Sequence, residues 1–278
     1  MTALRSIVVH VDGSPRCAAR LTLARKLAAA HGAVLEAVLA AAPSLAELPM
    51  AYSAGSEAAT VMLELDADRR RRARLHFARE AERPGPPMHW LELDQELTRH
   101  GFVQRALYAD LLVLGQHDAT DPLAWGVASD FVPSVLADSG RPALVLPYTG
   151  HFAEVGRNVL IAWKPSREAM HAVSAALPLL REARQVHVAC NAPAGEAGRI
   201  ALGPLEAYLQ RHGVTASVAV HGVAVEQVGE SLLSTAADVE ADLLVMGCYG
   251  HSRTREWLLG GASRSVLQAM TLPVLMAH

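Results

Sequence analysis

The residues best suited to chemistry are Gly247-Cys248-Tyr249-Gly250 and, nine residues later, Gly260-Gly261-Ala262-Ser263. Glycines let a backbone turn tightly and approach a ligand closely. A helix starting at about Ala262 would aim its first N–H groups and its positive end at an anion. Ser263 adds a hydroxyl donor, and His251, Arg253 and Arg255 on the intervening loop add positive charge. Together these residues make a phosphate cradle. The same glycines would also serve a turn that merely packs a helix against a strand.

The elements that position this loop occur twice. ADLLVLG at 109–115 and ADLLVMG at 241–247 differ at one position, and each reads as a buried parallel strand entering a turn. SIVVHVDGS at 6–14 and NVLIAWKPS at 158–166 are the matching first strands, each followed by a helix-start signal. Ser14 can cap one helix with Pro15 at its first position, and Ser166 can cap the other. The second helix carries Ala169, Val173, Ala176, Leu177 and Leu180 at helical spacing, with Pro178 set to kink it. Residues 33–41 and 185–192 read as second strands, and 88–94 and 216–222 as third strands. Residues 225–240 read as an amphipathic helix, and 141–147 and 272–278 as closing strands opened by Pro.

Strands alternating with helices predict an α/β chain with two tandem doubly wound parallel five-stranded sheets, Rossmann-like in each half. The expected domains are 1–150 and 151–278, parted by turn-prone residues near 148–157. In such sheets ligands sit beyond the carboxyl ends of the strands, where strand order reverses. The first half is longer by a stretch from about Ala42 to Pro87. That stretch holds RRRRAR at 69–74 beside Glu64, Asp66, Asp68, Glu80 and Glu82, which favours a solvated helix face over a nucleic-acid patch.

Composition narrows the function. The chain has 278 residues, 51% of them hydrophobic and 5% aromatic, with a net charge of −3. That balance gives no case for nucleic-acid or membrane binding. No signal-peptide layout or uncharged span of transmembrane length stands out, so a cytoplasmic location is expected. Cys17, Cys190 and Cys248 are widely spaced and form no C-x-x-C pair, which argues against a disulfide framework or zinc site. The thirteen histidines show no tight ligand spacing.

The G-x2-G-x9-G spacing after an ADLLVMG strand, before a PVL strand, resembles the universal stress protein family. The resemblance covers both halves and implies a tandem two-domain, UspA-like protein of the adenine nucleotide alpha hydrolase-like fold. It implies that Gly247, Gly250 and Gly260 contact the phosphates of ATP or a related adenine nucleotide, with no metal beyond a nucleotide-bound magnesium. The next position, usually Ser or Thr, is Gly261 here, while Ser263 matches a second common serine. The family uses an acid after the first strand to hold the nucleoside: Asp12 fits in the first half, but Lys164 stands in the second. Lys cannot accept a hydrogen bond, so it would reach a phosphate or an acidic neighbour instead. Trp163 beside it could stack on the ligand or fill core.

The first half is altered in the opposite way. Aligning 135–136 with 266–267 sets Ser129-Asp130-Phe131-Val132 opposite Gly260-Gly261-Ala262-Ser263. Asp130 would then cap the helix and repel a phosphate, and Asp118 and Asp121 add negative charge. The first half is therefore expected not to bind ATP. The nucleotide site is expected at Gly247, Gly250, Gly260, Gly261, Ala262, Ser263, Trp163 and Lys164. The leading function is a non-enzymatic, nucleotide-binding stress-response protein. The alternatives are a nucleotide-independent scaffold with both sites degenerate, and a slow nucleotide hydrolase. Against the hydrolase, no nucleophile–base pair is positioned, and His251 is a lone candidate base. The resemblance also implies that the halves pair as an intrachain pseudo-dimer through their closing strands, with a homodimer left open.

Overall fold

The computed structural model describes residues 4–41, 57–93, 98–118, 120–121, 127–190, 196–214, 220–221, 227–248 and 261–278. Two compact units form, Leu4–Arg141 and Pro142–His278. In the first, the strands are β1 (Ser6–Val11), β2 (Val34–Leu39), β3 (Met88–Glu92) and β4 (Leu111–Gly115). They lie in the order β3-β2-β1-β4, all parallel. Its helices are α1 (Cys17–His31), α2 (Glu57–Ala81), α3 (Thr98–Ala106) and α4 (Phe131–Ser139). The second unit has β5 (Ala143–Leu146), β6 (Asn158–Trp163), β7 (Gln185–Cys190), β8 (Val220–His221), β9 (Leu243–Gly247) and β10 (Val274–Ala277). Its helices are α5 (Arg167–Leu180), α6 (Glu196–Arg211), α7 (Val228–Asp238) and α8 (Ala262–Ala269).

Strand order in the second unit is β5-β10-β9-β6-β7-β8, parallel except where β5 meets β10. The closing strands do pair, antiparallel, with Val274 opposite Val145. That pairing places β5 in the second unit, although it ends the first repeat in sequence. In both units the strand order reverses beside the first strand of the repeat: between β1 and β4, and between β6 and β9. The central strands are apolar on both faces, as parallel strands covered on both sides must be. Ile7, Val9, Leu112, Leu160 and Val245 are fully buried.

The repeated aspartate of the ADLLV segments has one job in both units. Asp110 accepts hydrogen bonds from the N–H groups of Arg5 (2.7 Å) and Ser6 (3.0 Å). Asp242 accepts from those of Gly156 (2.9 Å), Arg157 (3.0 Å) and Asn158 (3.1 Å). Each carboxylate thereby sets the start of the first strand against the start of the fourth.

The helix starts differ from one another. The Ser166 hydroxyl accepts from the Ala169 N–H at 3.2 Å, the expected cap, and α5 continues through Pro178 for two residues before it ends. Ser14 does not cap. Helix α1 begins at Cys17, and the Ser14 hydroxyl donates to Asp12 Oδ1 at 2.5 Å. The Cys17 N–H donates to the Ser14 carbonyl at 3.1 Å, closing a turn through Pro15 and Arg16 that sets Ser14 too far from the helix start to cap it. Gly32 and Gly140 end α1 and α4 in the left-handed conformation, with φ of 64° and 61°. The arginine run falls within α2 and is paired with acids. Arg70 meets Glu92 at 2.7 Å, Arg72 meets Asp68 at 2.6 Å, and Arg71 also pairs with Asp68. Arg69 departs from the solvated face, being buried at 7% exposure.

Replacing Asp242 with Ala strands three N–H groups, two of them part-buried. Urea unfolding should show a loss of about 1–3 kcal/mol, less for Asp242→Asn. A loss below about 0.5 kcal/mol, the surface-substitution range, would refute the role of this carboxylate.

Candidate functional site at the two switch points

The switch point of the first unit is filled by its own side chains. Arg20, on the buried face of α1, donates to Asp12 Oδ2 at 2.7 Å and to the His10 carbonyl at 2.6 Å. Its guanidinium lies over Gly115, where an added Cβ would sit 2.2 Å from Arg20 Nη1. Asp12 also accepts from the Ser14 N–H at 3.0 Å. Burial alone would raise the Asp12 pKa, but the Arg20 guanidinium, with His10 and Ser14, outweighs it and holds the carboxyl at about 2. The aspartate expected to hold a nucleoside is thus committed to an arginine. Helix α2 covers the same turn, with the Arg69 backbone 3.1 Å from where a Gly13 Cβ would be.

Aromatic rings complete the filling. The His10 ring is 4.6 Å from Phe131 and 5.6 Å from Phe102, and those two phenyl rings are 5.3 Å apart. His10 and Phe131 are 2% and 5% exposed. Burial pushes the His10 pKa down to about 4; Asp12 opposes that shift and Arg20 adds to it. The imidazole is neutral, with Nε2 3.0 Å from the Ala40 carbonyl.

Asp130 does stand at the N-terminus of α4, but its side chain makes no cap hydrogen bond to the backbone. Oδ2 instead accepts from Ser134 Oγ at 3.2 Å and from Arg99 at 3.3 Å. The cause is backbone conformation: Asp130 has φ −94° and ψ 9° rather than the extended geometry of a capping residue. Asp118 accepts from the Thr120 N–H at 2.9 Å and hydroxyl at 2.6 Å. The rings and the Arg20–Asp12 pair lie at this switch point, and the Asp130 carboxylate is answered by Arg99 and Ser134.

The second unit has the same frame with different filling. Strand registers make the positions equivalent: Ile7 pairs with Leu111 as Val159 pairs with Leu243. His10 then corresponds to Ala162 and Asp12 to Lys164. The helix N-caps Asp130 and Gly261 correspond, and so do Phe131 and Ala262. Ala162 and Ala262 are half-buried, where His10 and Phe131 are buried. Two rings are thus replaced by two half-buried alanines, at the carboxyl end of β6 and the N-terminus of α8. Trp163 is half-buried and Lys164 exposed.

Helix α8 begins at Ala262 with Gly261 as its N-cap, as the sequence suggests. Gly261 has φ −59°, which any residue adopts, and its carbonyl accepts from the N–H groups of Arg264 (3.0 Å) and Ser265 (3.1 Å). Ser263 is 3% exposed, inside rather than on an open face. Gly247 has a packing reason to be glycine: a Cβ would lie 2.4 Å from the Ala169 nitrogen in the first turn of α5. Gly250, Gly260, His251, Arg253 and Arg255 lie outside the described residues.

Two contributors escaped the sequence reading. Gly229 of α7 lets α8 approach, since a Cβ there would sit 2.5 Å from Ser265 Cβ and 3.2 Å from the Ala262 carbonyl oxygen. Arg20 shares the spacing of Cys17, Leu21 and Ala24 on the buried face of α1, a signal that could have marked it as an internal group. All three cysteines are buried, and burial raises the Cys17 thiol to about 12. Among the described residues no cluster of His, Cys, Asp and Glu could hold a metal, and no helix is long and apolar enough to cross a membrane.

The sequence model of the universal stress protein family matches residues 156–278. This half of the chain belongs to the universal stress protein family. The universal stress protein from Archaeoglobus fulgidus DSM 4304 superimposes with a TM-score of 0.72 at 16% identity, over 98% of this chain and 95% of its own. A protein of Pseudomonas aeruginosa PAO1 described as functionally unknown gives 0.58 at 14% identity, over 99% and 92%. At these identities the likenesses show the fold, and they span both units. A universal stress protein solved in complex with cAMP aligns over 44% of this chain and 97% of its own, at 23% identity and a TM-score of 0.36. No curated protein sequence matches the chain.

The buried groups of the first unit set the acid response. Below pH 6.5 the unfolded chain protonates His10, whereas the native chain refuses that proton down to about pH 4. Stability is therefore lost between those values, by about 3 kcal/mol. Asp12 then costs roughly 2 kcal/mol more as pH falls from near 4 to about 2. Urea unfolding across this range should find the fall from pH 6.5 to 4 clearly shallower in His10→Leu. An equal slope in the two proteins would contradict the assignment.

Proposed function

We propose that the second unit binds ATP or a related adenine nucleotide, and that the chain acts in stress response without catalysing a reaction. The carrying observation is the exchange of His10 and Phe131, which fill the first switch point, for the partly exposed Ala162 and Ala262 at the second. Gly261 supports it by setting a neutral residue, rather than a carboxylate such as Asp130, at the N-terminus of the helix beside that opening. The family match falls on this same unit. In this reading Gly247, Gly250, Gly260, Gly261, Ala262 and Ser263 surround the phosphates, and Trp163 and Lys164 flank the nucleoside.

A second reading is a nucleotide-independent interaction protein. The burial of Ser263 and the packing role of Gly247 favour it, because both residues have structural work without a ligand.

Calorimetric titration with ATP and with cAMP separates the two readings. The nucleotide reading expects saturable heat with ATP, cAMP or both, abolished in Gly260→Asp, whose carboxylate would repel phosphate by several kcal/mol at about 4 Å and protein-surface dielectric. Absence of heat at millimolar nucleotide would overturn the nucleotide reading and leave the interaction-protein reading.

A further inference from the structure

We infer that Lys164 makes the second unit select an adenine nucleotide carrying a phosphate on its ribose 2′ or 3′ oxygen. The inference rests on the nucleotide reading above and specifies its ligand. Lys164 directly follows the last residue of β6, as Asp12 follows the last residue of β1. Both therefore project from the carboxyl end of the central strand at the switch point, where ligands of this architecture lie.

The two side chains ask for opposite partners. A carboxylate accepts hydrogen bonds from ribose hydroxyls, whereas an ammonium has three donors and no acceptor. At this place it cannot hold a free hydroxyl pair as an acid would, and it attracts an anion. Dinucleotide-binding folds make an exchange of the same kind, an acid for a ribose hydroxyl and a cation for a ribose phosphate, at a position about 20 residues beyond their first turn.

No internal group answers this cation. In the first unit the Asp12 charge meets Arg20 at 2.7 Å. Counting from the strand ends, the place of Arg20 falls to Ala172, which is fully buried. The Ser166 hydroxyl is used by the Ala169 N–H at 3.2 Å. Glu168, the acid on the same turn, lies 3.4 Å from Arg167. Lys164 itself is exposed and makes no hydrogen bond or ion pair among the described residues. Two residues before it, in β6, the half-buried Ala162 stands where His10 fills the first unit. A phosphate monoester on the ribose supplies the missing negative charge.

The test compares three probes by calorimetry: AMP, adenosine 2′,5′-bisphosphate and adenosine 3′,5′-bisphosphate. The native chain should bind one of the bisphosphates about fivefold more tightly than AMP, which lacks only the ribose phosphate, the scale of one solvent-accessible ion pair. The better of the two identifies the ribose oxygen. Lys164→Gln should erase the preference, and Lys164→Asp should reverse it in favour of AMP; melting curves check that these surface variants are folded. Equal affinity for the three probes, or a preference that survives in Lys164→Gln, overturns this inference and leaves the nucleotide reading standing. If none of the three binds while ATP or cAMP does, the inference falls and the nucleotide reading stands; if ATP and cAMP also give no heat, both fall.

Discussion

The switch point of the first unit is built around the ion pair between Arg20 and Asp12. It joins the carboxyl end of β1 to the buried face of α1 at 2.7 Å and lays a guanidinium over the last residue of β4. A buried pair of this kind contributes modest net stability, yet removing either partner leaves a costly unpaired charge. Both side chains are therefore held in place at the switch point of the first unit. His10 and Phe131 fill what the pair leaves. The second unit inherits the frame without that filling: Ala162, Ala262 and Ala172 stand where His10, Phe131 and Arg20 stand in the first.

The strands and their repetition were legible in the sequence because a doubly covered parallel strand is written as a short apolar run, and the run recurs with its aspartate. Asp110 and Asp242 explain why the aspartate is kept, since each clamps the backbone that opens the first strand of its unit. Ser166 was legible as a cap because it directly precedes the first helical residue, Arg167, whereas Ser14 was misread because a turn closed by the Cys17 N–H on the Ser14 carbonyl comes before α1. Arg20 was missed because arginine is ordinarily a surface residue, and its pairing with Asp12 depends on how α1 folds back over β1. The cover that α2 places on Gly13 comes from the stretch without a counterpart in the other half, so the internal repeat gave no guide to it.

Glycine was the weakest letter of the candidate site. Gly247 and Gly229 each stand where a Cβ would collide with a neighbouring helix, so packing alone accounts for both. Gly261 has an ordinary φ and nothing in its conformation demands glycine. Its value for an anion lies in having no charged side chain at the start of α8. The difference between the units is carried by side-chain volume and charge at a few equivalent positions, and that difference became visible once strand register fixed the equivalences.

Photolabelling with 8-azido-ATP, followed by peptide mapping, tests this division most directly. Covalent label confined to peptides from Pro142–His278, and removed by excess ATP, is the predicted result. ATP-protected label on peptides from Leu4–Arg141 would contradict the account, because the Arg20–Asp12 pair and its surrounding rings would then have failed to close the first unit.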